Sequence, residues 1–180
     1  MKKIFILSII LLISSCAMVK KQEVVQELDH LNNNLKLDFK SFFSGNLEGM
    51  AITQDGDGKI TNSFTLKING QWDENKGTVK YSYLYADSKK DSKTFLVTIG
   101  DDGTFEAIGH QIVGAIKGEQ KENAARSFYS SEIKDAGVKN ILKYVDKMYL
   151  IDAKSMIIIS SFKGDLKSGT TIISLKKIAD

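Results

Sequence analysis

Ser63-Phe64-Thr65-Leu66-Lys67-Ile68-Asn69-Gly70-Gln71-Trp72, the turn Asp73 to Lys76, and then Gly77-Thr78-Val79-Lys80-Tyr81-Ser82-Tyr83-Leu84-Tyr85 decide the fold. Successive strand residues point to opposite faces. Phe64, Leu66, Ile68 and Trp72 therefore share one side, against Ser63, Thr65, Lys67, Asn69 and Gln71 on the other. Val79, Tyr81, Tyr83 and Tyr85 repeat the pattern against Lys80 and Ser82, and Phe95, Val97 and Ile99 repeat it against Thr94 and Thr98. The large apolar and aromatic rows are the inward faces.

The same reading extended outward gives candidate strands at Asn46 to Gln54, Lys59 to Trp72, Gly77 to Ala86, Lys93 to Gly100, Thr104 to Gly109, Gly114 to Ile133, Asn140 to Asp152, Met156 to Phe162 and Ser168 to Ile178. The chain contains no proline to interrupt them. Connectors such as Asp55-Gly56-Asp57-Gly58 and Asp101-Asp102-Gly103 carry hairpin chemistry. Asp55 and Asp57 resemble the start of a calcium loop, but Lys59 and Ile60 stand where a ligand and a glycine are required, so the segment reads as a turn. Short links make consecutive strands antiparallel neighbours. Eight to nine of them remove their edges most simply by closing. The expected fold is thus all-β: a single up-and-down antiparallel barrel of about eight to nine strands over residues 37–180. Its interior is either filled or lines an apolar cavity.

The N-terminus is a different material. Lys2 and Lys3 precede an apolar run from Ile4 to Ile13, then Ser14, Ser15 and Cys16. A helix needs about 20 apolar residues to span a bilayer, and this run is far shorter. Residues 1–15 read as an export signal. An ordinary signal peptidase has Ser15 and Ala17 to recognise; lipoprotein processing also explains why the one cysteine of the chain stands here. Lipidation of Cys16 is expected, with two or three acyl chains giving a stable anchor. Ala17 follows, where lipoproteins of Gram-negative bacteria kept at the inner membrane carry aspartate; that resemblance implies the periplasmic face of the outer membrane. In residues 16–36, Val24, Leu28, Leu31 and Leu35 form one face of a short helical tether.

Composition narrows the function. With Cys16 lipidated no thiol is left for a disulfide, a nucleophile or a zinc site, and His30 and His110 alone make a poor metal set. No metal or other cofactor is expected. Without Lys2 and Lys3, 23 basic residues face 22 acidic ones, a balance with no electrostatic case for nucleic acid. No Gly-x-Ser-x-Gly elbow is present, and neither histidine stands in a recognisable arrangement with a serine.

Arg126 is the single arginine among 25 basic side chains, which suggests a planar fork placed for an anion. On the inward row Leu142, Tyr144, Asp146, Met148, Leu150, the one acid needs a partner. The expected site pairs Arg126 with Asp146 at a ligand headgroup, with Phe64, Leu66, Trp72, Tyr81, Tyr83 and Tyr85 along an acyl tail.

Leu37-Asp38-Phe39, Phe42-Phe43-x-Gly45-x-Leu47-x-Gly49, Gly70-x-Trp72, Gly77, Asn123-Ala124-x-Arg126-x-x-Tyr129 and Asp146-x-Met148-Tyr149-Leu150-x-Asp152 together resemble the bacterial lipoproteins catalogued as domain of unknown function 3833. The family pattern has a tryptophan where Lys147 stands, and an Asn-Arg pair where this chain has Ile157, Ile158 and Ile159. The resemblance implies a lipocalin-type barrel and work on envelope lipids, without a fixed activity. Two functions follow as expectations. One is a membrane-anchored module that binds or shelters a lipid or fatty-acyl ligand. The other is a non-enzymatic envelope scaffold whose barrel is filled and whose outer face docks a protein.

Overall fold

The computed structural model describes residues 35–135 and 138–178. The export signal, Cys16 and the helical stretch of the tether lie outside them. Ten strands form one closed antiparallel barrel in up-and-down order: β1 (Gly45–Asp55), β2 (Ile60–Asp73), β3 (Lys76–Tyr85), β4 (Lys90–Ile99), β5 (Thr104–Gly109), β6 (Ile112–Lys121), β7 (Ala124–Asp135), β8 (Val138–Asp152), β9 (Ser155–Lys163) and β10 (Ser168–Lys177). β10 returns to pair with β1, Leu47 opposite Lys177 and Asp55 opposite Gly169.

The inward rows are those expected. Leu66 and Ile68 on β2 and Val79 on β3 are buried, while Thr65, Lys67, Asn69 and Lys80 are exposed. The strand count is ten because the run Gly114 to Ile133 is broken. A two-residue turn at Glu122-Asn123, with Glu122 at φ 54°, divides it into β6 and β7. A hairpin turn normally places glycine or asparagine in that left-handed region. Glutamate there left no sequence signal. Asp55 behaves as a turn residue, its carboxylate accepting from the backbone N–H groups of Asp57 and Lys59 at 3.1 and 2.9 Å.

A short helix, α1 (Phe39–Phe42), precedes the barrel in a stretch to which the sequence reading assigned no element. Asp38 caps it by accepting from Ser41 N–H at 2.9 Å. Eight strands leave an interior that side chains alone can fill, and ten leave more. α1 supplies the difference by plugging one end with Phe39, Phe42 and Phe43, which are 7%, 4% and 1% exposed. Phe39 stacks on Phe105 at 4.3 Å. The Trp72 indole N–H donates to the Phe43 carbonyl at 3.2 Å, and Lys177 Nζ donates to the carbonyls of Ser41 and Ser44. Around the plug Leu47, Leu66, Ile68, Val79, Val97, Phe105, Met148, Leu150, Met156, Ile158 and Leu175 make a continuous core. Burying each such side chain is worth about 1.5–3 kcal/mol, so this half is solid and holds the other half in shape.

Candidate functional site

The opposite half keeps the same inward rows but changes their chemistry. β3 presents Tyr81, Tyr83 and Tyr85 in a ladder, with successive ring centroids 6.1 and 6.2 Å apart. Phe95 lies 5.4 Å from Tyr81, and Phe64 lies 5.4 Å from Tyr85. On other strands Tyr129 of β7 stacks on Tyr144 of β8 at 4.7 Å, and Phe162 of β9 follows at 5.8 Å. In the plugged half most inward side chains are sealed, with Trp72 and Ile99 partly buried. Here Phe64, Tyr81, Tyr83, Phe95, Tyr129, Tyr144 and Phe162 are only partly buried, although they face inward. Solvent therefore touches these rings in part, and they wall this end of the barrel, the cup.

Asp146 sits inside the cup. Ser160 Oγ donates to its Oδ1 at 2.5 Å and Ser127 Oγ makes a longer contact to Oδ2 at 3.4 Å. The Tyr129 hydroxyl adds a further hydrogen bond. Burial pushes the Asp146 pKa up to about 6 in spite of these hydroxyls, and among the described residues no cation contributes to it. Burial also holds the phenols of Tyr81, Tyr83, Tyr129 and Tyr144 protonated, the last up to about 12, and the charge of Asp146 reinforces it in all four. Tyr81 and Tyr83 on β3 thus sense the same carboxylate as Tyr129 and Tyr144 on β7 and β8. Neutral phenols at ordinary pH are hydrogen-bonding groups and not bases, so the chemistry on offer is recognition.

Lys93 is a cation of this interior. It lies opposite Tyr81 in the β3–β4 register, two residues nearer the mouth than Phe95. Desolvation pulls its pKa down, and Asp91 opposes that. β5 reaches only to Gly109, level with Phe95, so β4 has no β5 neighbour beside Lys93.

The expected site residues are thus divided. Phe64, Tyr81, Tyr83, Tyr85 and Asp146 come together in the cup. Leu66 and Trp72 belong to the solid half. Arg126 does not meet Asp146: it stands on the outer surface, ion-paired with Glu119 and with its guanidinium 5.6 Å from the centre of the Phe128 ring. Alternation is the reason. Ser127 faces Asp146 across the β7–β8 register, while Arg126 is level with Lys147 on the other face. The expected headgroup contact from Arg126 inside the barrel is therefore not made. Ser127, Tyr129, Ser160 and Lys93 were missed. Continuing the Phe95, Val97, Ile99 row by one step would have found Lys93.

The family described as Protein of unknown function (DUF3833) matches residues 10–177. The chain belongs to this family. No curated protein matches it. Among solved structures, this DUF3833 protein is similar to the crystal structure of a protein of unknown function from the DUF3598 family of Nostoc punctiforme, with a TM-score of 0.54 and 13% identity over 80% of this chain. The chain spans 50% of that protein's length, and the likeness is one of fold.

Proposed function

We propose that this DUF3833 protein is an envelope lipoprotein, anchored through acyl chains on Cys16 to the periplasmic face of the outer membrane, whose barrel binds an amphipathic, lipid-class molecule. The observation that carries the reading is the division of one set of inward rows into a plugged half and a solvent-reached, tyrosine-lined half with a carboxyl inside. It changes the pose expected from sequence. An acyl tail cannot run the length of a barrel filled by Phe43, Leu47, Ile68 and Met156, so the polar end enters and the apolar part rests against the rings nearer the mouth. The scaffold reading draws support from exposed Met50, Ile52, Leu84 and Ile172, which line a shallow groove on the outer face of β10, β1, β2 and β3.

The test is purification from the protein's own envelope, with native mass spectrometry for non-covalent amphiphiles and metabolic fatty-acid labelling of wild type and Cys16→Ser. Labelling should vanish in the variant, and a lipid-class mass should accompany the barrel. Labelling that persists in Cys16→Ser overturns the anchor. A barrel that is empty of amphiphile and captures an envelope protein leaves the scaffold reading in its place.

A further inference from the structure

Asp146 is an unusual residue to keep inside a barrel. A buried carboxylate is costly unless a cation or hydrogen bonds compensate it. Its partners here are the hydroxyls of Ser160, Ser127 and Tyr129, and among the described residues no cation offsets its burial. Above its pKa the cup therefore holds a negative charge that the fold does not neutralise. The groups around that charge are rings: Tyr129 and Tyr144 on one side, and Tyr81 and Tyr83, which sense the charge from β3. Ring faces attract cations within about 6 Å, and most strongly where water is excluded. A hard metal ion would need several oxygen ligands. Among the described residues, no group of three or more acids, histidines or cysteines could hold one. An anionic group would be repelled by Asp146. An ammonium carrying alkyl groups suits the place better, since its charge is spread and weakly hydrated and its methyls pack on rings. The stacked pair Tyr129–Tyr144, 4.7 Å apart and parallel, has no space between its rings, so such a cation lies between the two tyrosine groups and not within either.

Tyr81 links this place to a second charge. The charge of Asp146 reaches it, and its neighbour across the β3–β4 register is Lys93, an inward ammonium whose desolvation the carboxylate of Asp91 offsets only in part. One carboxylate held beside Tyr129 and one lysine opposite Tyr81, both facing inward, match a ligand that carries both signs. Resting on the reading that the cup takes the polar end of an amphiphile, we propose that this polar end is a zwitterionic headgroup, with its alkylated ammonium held between the tyrosines against Asp146 and its phosphate on Lys93.

Two lysophospholipids with the same acyl chain, one with a phosphocholine and one with a phosphoglycerol head, separate the alternatives. They share tail and phosphate and differ in ammonium against hydroxyls. Each is titrated below its micelle concentration into the full chain carrying Cys16→Ser, and into the same chain with Asp146→Asn or Lys93→Gln. The phosphocholine lipid should bind at least about tenfold tighter, a difference of 1.4 kcal/mol. Asp146→Asn should remove that preference while phosphoglycerol binding stays or improves, and Lys93→Gln should weaken both lipids alike. Equal binding, or a preference for phosphoglycerol, in the otherwise unaltered cup overturns the headgroup inference and leaves lipid binding standing. No saturable binding of either lipid overturns the lipid reading itself. That first comparison needs no change within the barrel, so a variant that fails to fold does not blunt it.

Discussion

Asp146 sets a conflict between stability and recognition. A carboxyl raised from 3.8 to about 6 by burial is one that the folded barrel prefers protonated. Its stabilising contribution is full below the unfolded value and is lost as pH rises through about 6. The cost of the ionised form at neutral pH is of the order of 3 kcal/mol. Asp146→Asn keeps the shape and the contacts to Ser127 and Ser160, so it should raise the melting temperature of the unliganded protein at pH 8. The gain should shrink to nothing near pH 4; a variant no more stable than wild type at pH 8 would show that the ionised carboxylate is tolerated without strain. Ligand binding should run the other way. A cation needs the carboxylate, so phosphocholine affinity should fall as pH drops through about 6 and level off at the affinity of Asp146→Asn, with the preference over phosphoglycerol gone. The facing groups are Ser127, Ser160 and the neutral phenols Tyr81, Tyr83, Tyr129 and Tyr144, with Lys93 and Asp91 nearer the mouth. At this scale the sequence was half legible. Asp146 stood out as an acid in an apolar row, and the tyrosine ladder followed from alternation. Arg126 misled because rarity drew attention to a residue that shares a face with exposed Phe128 and not with Tyr129.

Elements were more legible than residues, since hydrophobic alternation reports which face is buried whatever the ligand. Strand ends fell close to expectation, and the miss at Glu122-Asn123 came from a turn made without glycine. α1 was invisible for another reason: four residues are too few to show a period, and the helix exists because the end of a ten-stranded barrel needs a plug. Gly70 shows how closely that plug is seated. A Cβ there would fall on the Phe43 carbonyl, the same group that accepts from Trp72. Backbone cannot swing aside as a side chain can, so Gly70→Ala should destabilise the barrel by about 1–3 kcal/mol. Chemical denaturation gives the size. Lipid binding at the far end should survive, because β2 brings only Phe64 to the cup, six residues from Gly70, and the other cup residues stand on other strands; simultaneous loss of both would mean that the two halves are not separable.

For the whole molecule, all-β class and up-and-down closure were both legible, because short links and nine alternating runs leave few other ways to hide strand edges. Closure itself rests on the pairing of β1 with β10, the two strands furthest apart in the chain. A chain ended before Ser168 would expose one edge on β1 and another on β9. It should aggregate or lose its β circular dichroism, and a soluble, folded monomer of that length would contradict the importance of the seam. This pairing also governs timing. The first strand made has to wait for the last, so a nascent chain has no finished barrel at any length short of its final strand. A protein that we propose is exported gains from such a delay: until its end has been synthesised it remains a thread, the form in which a chain passes through a narrow pore. The tightest part of its architecture is then assembled only on the far side.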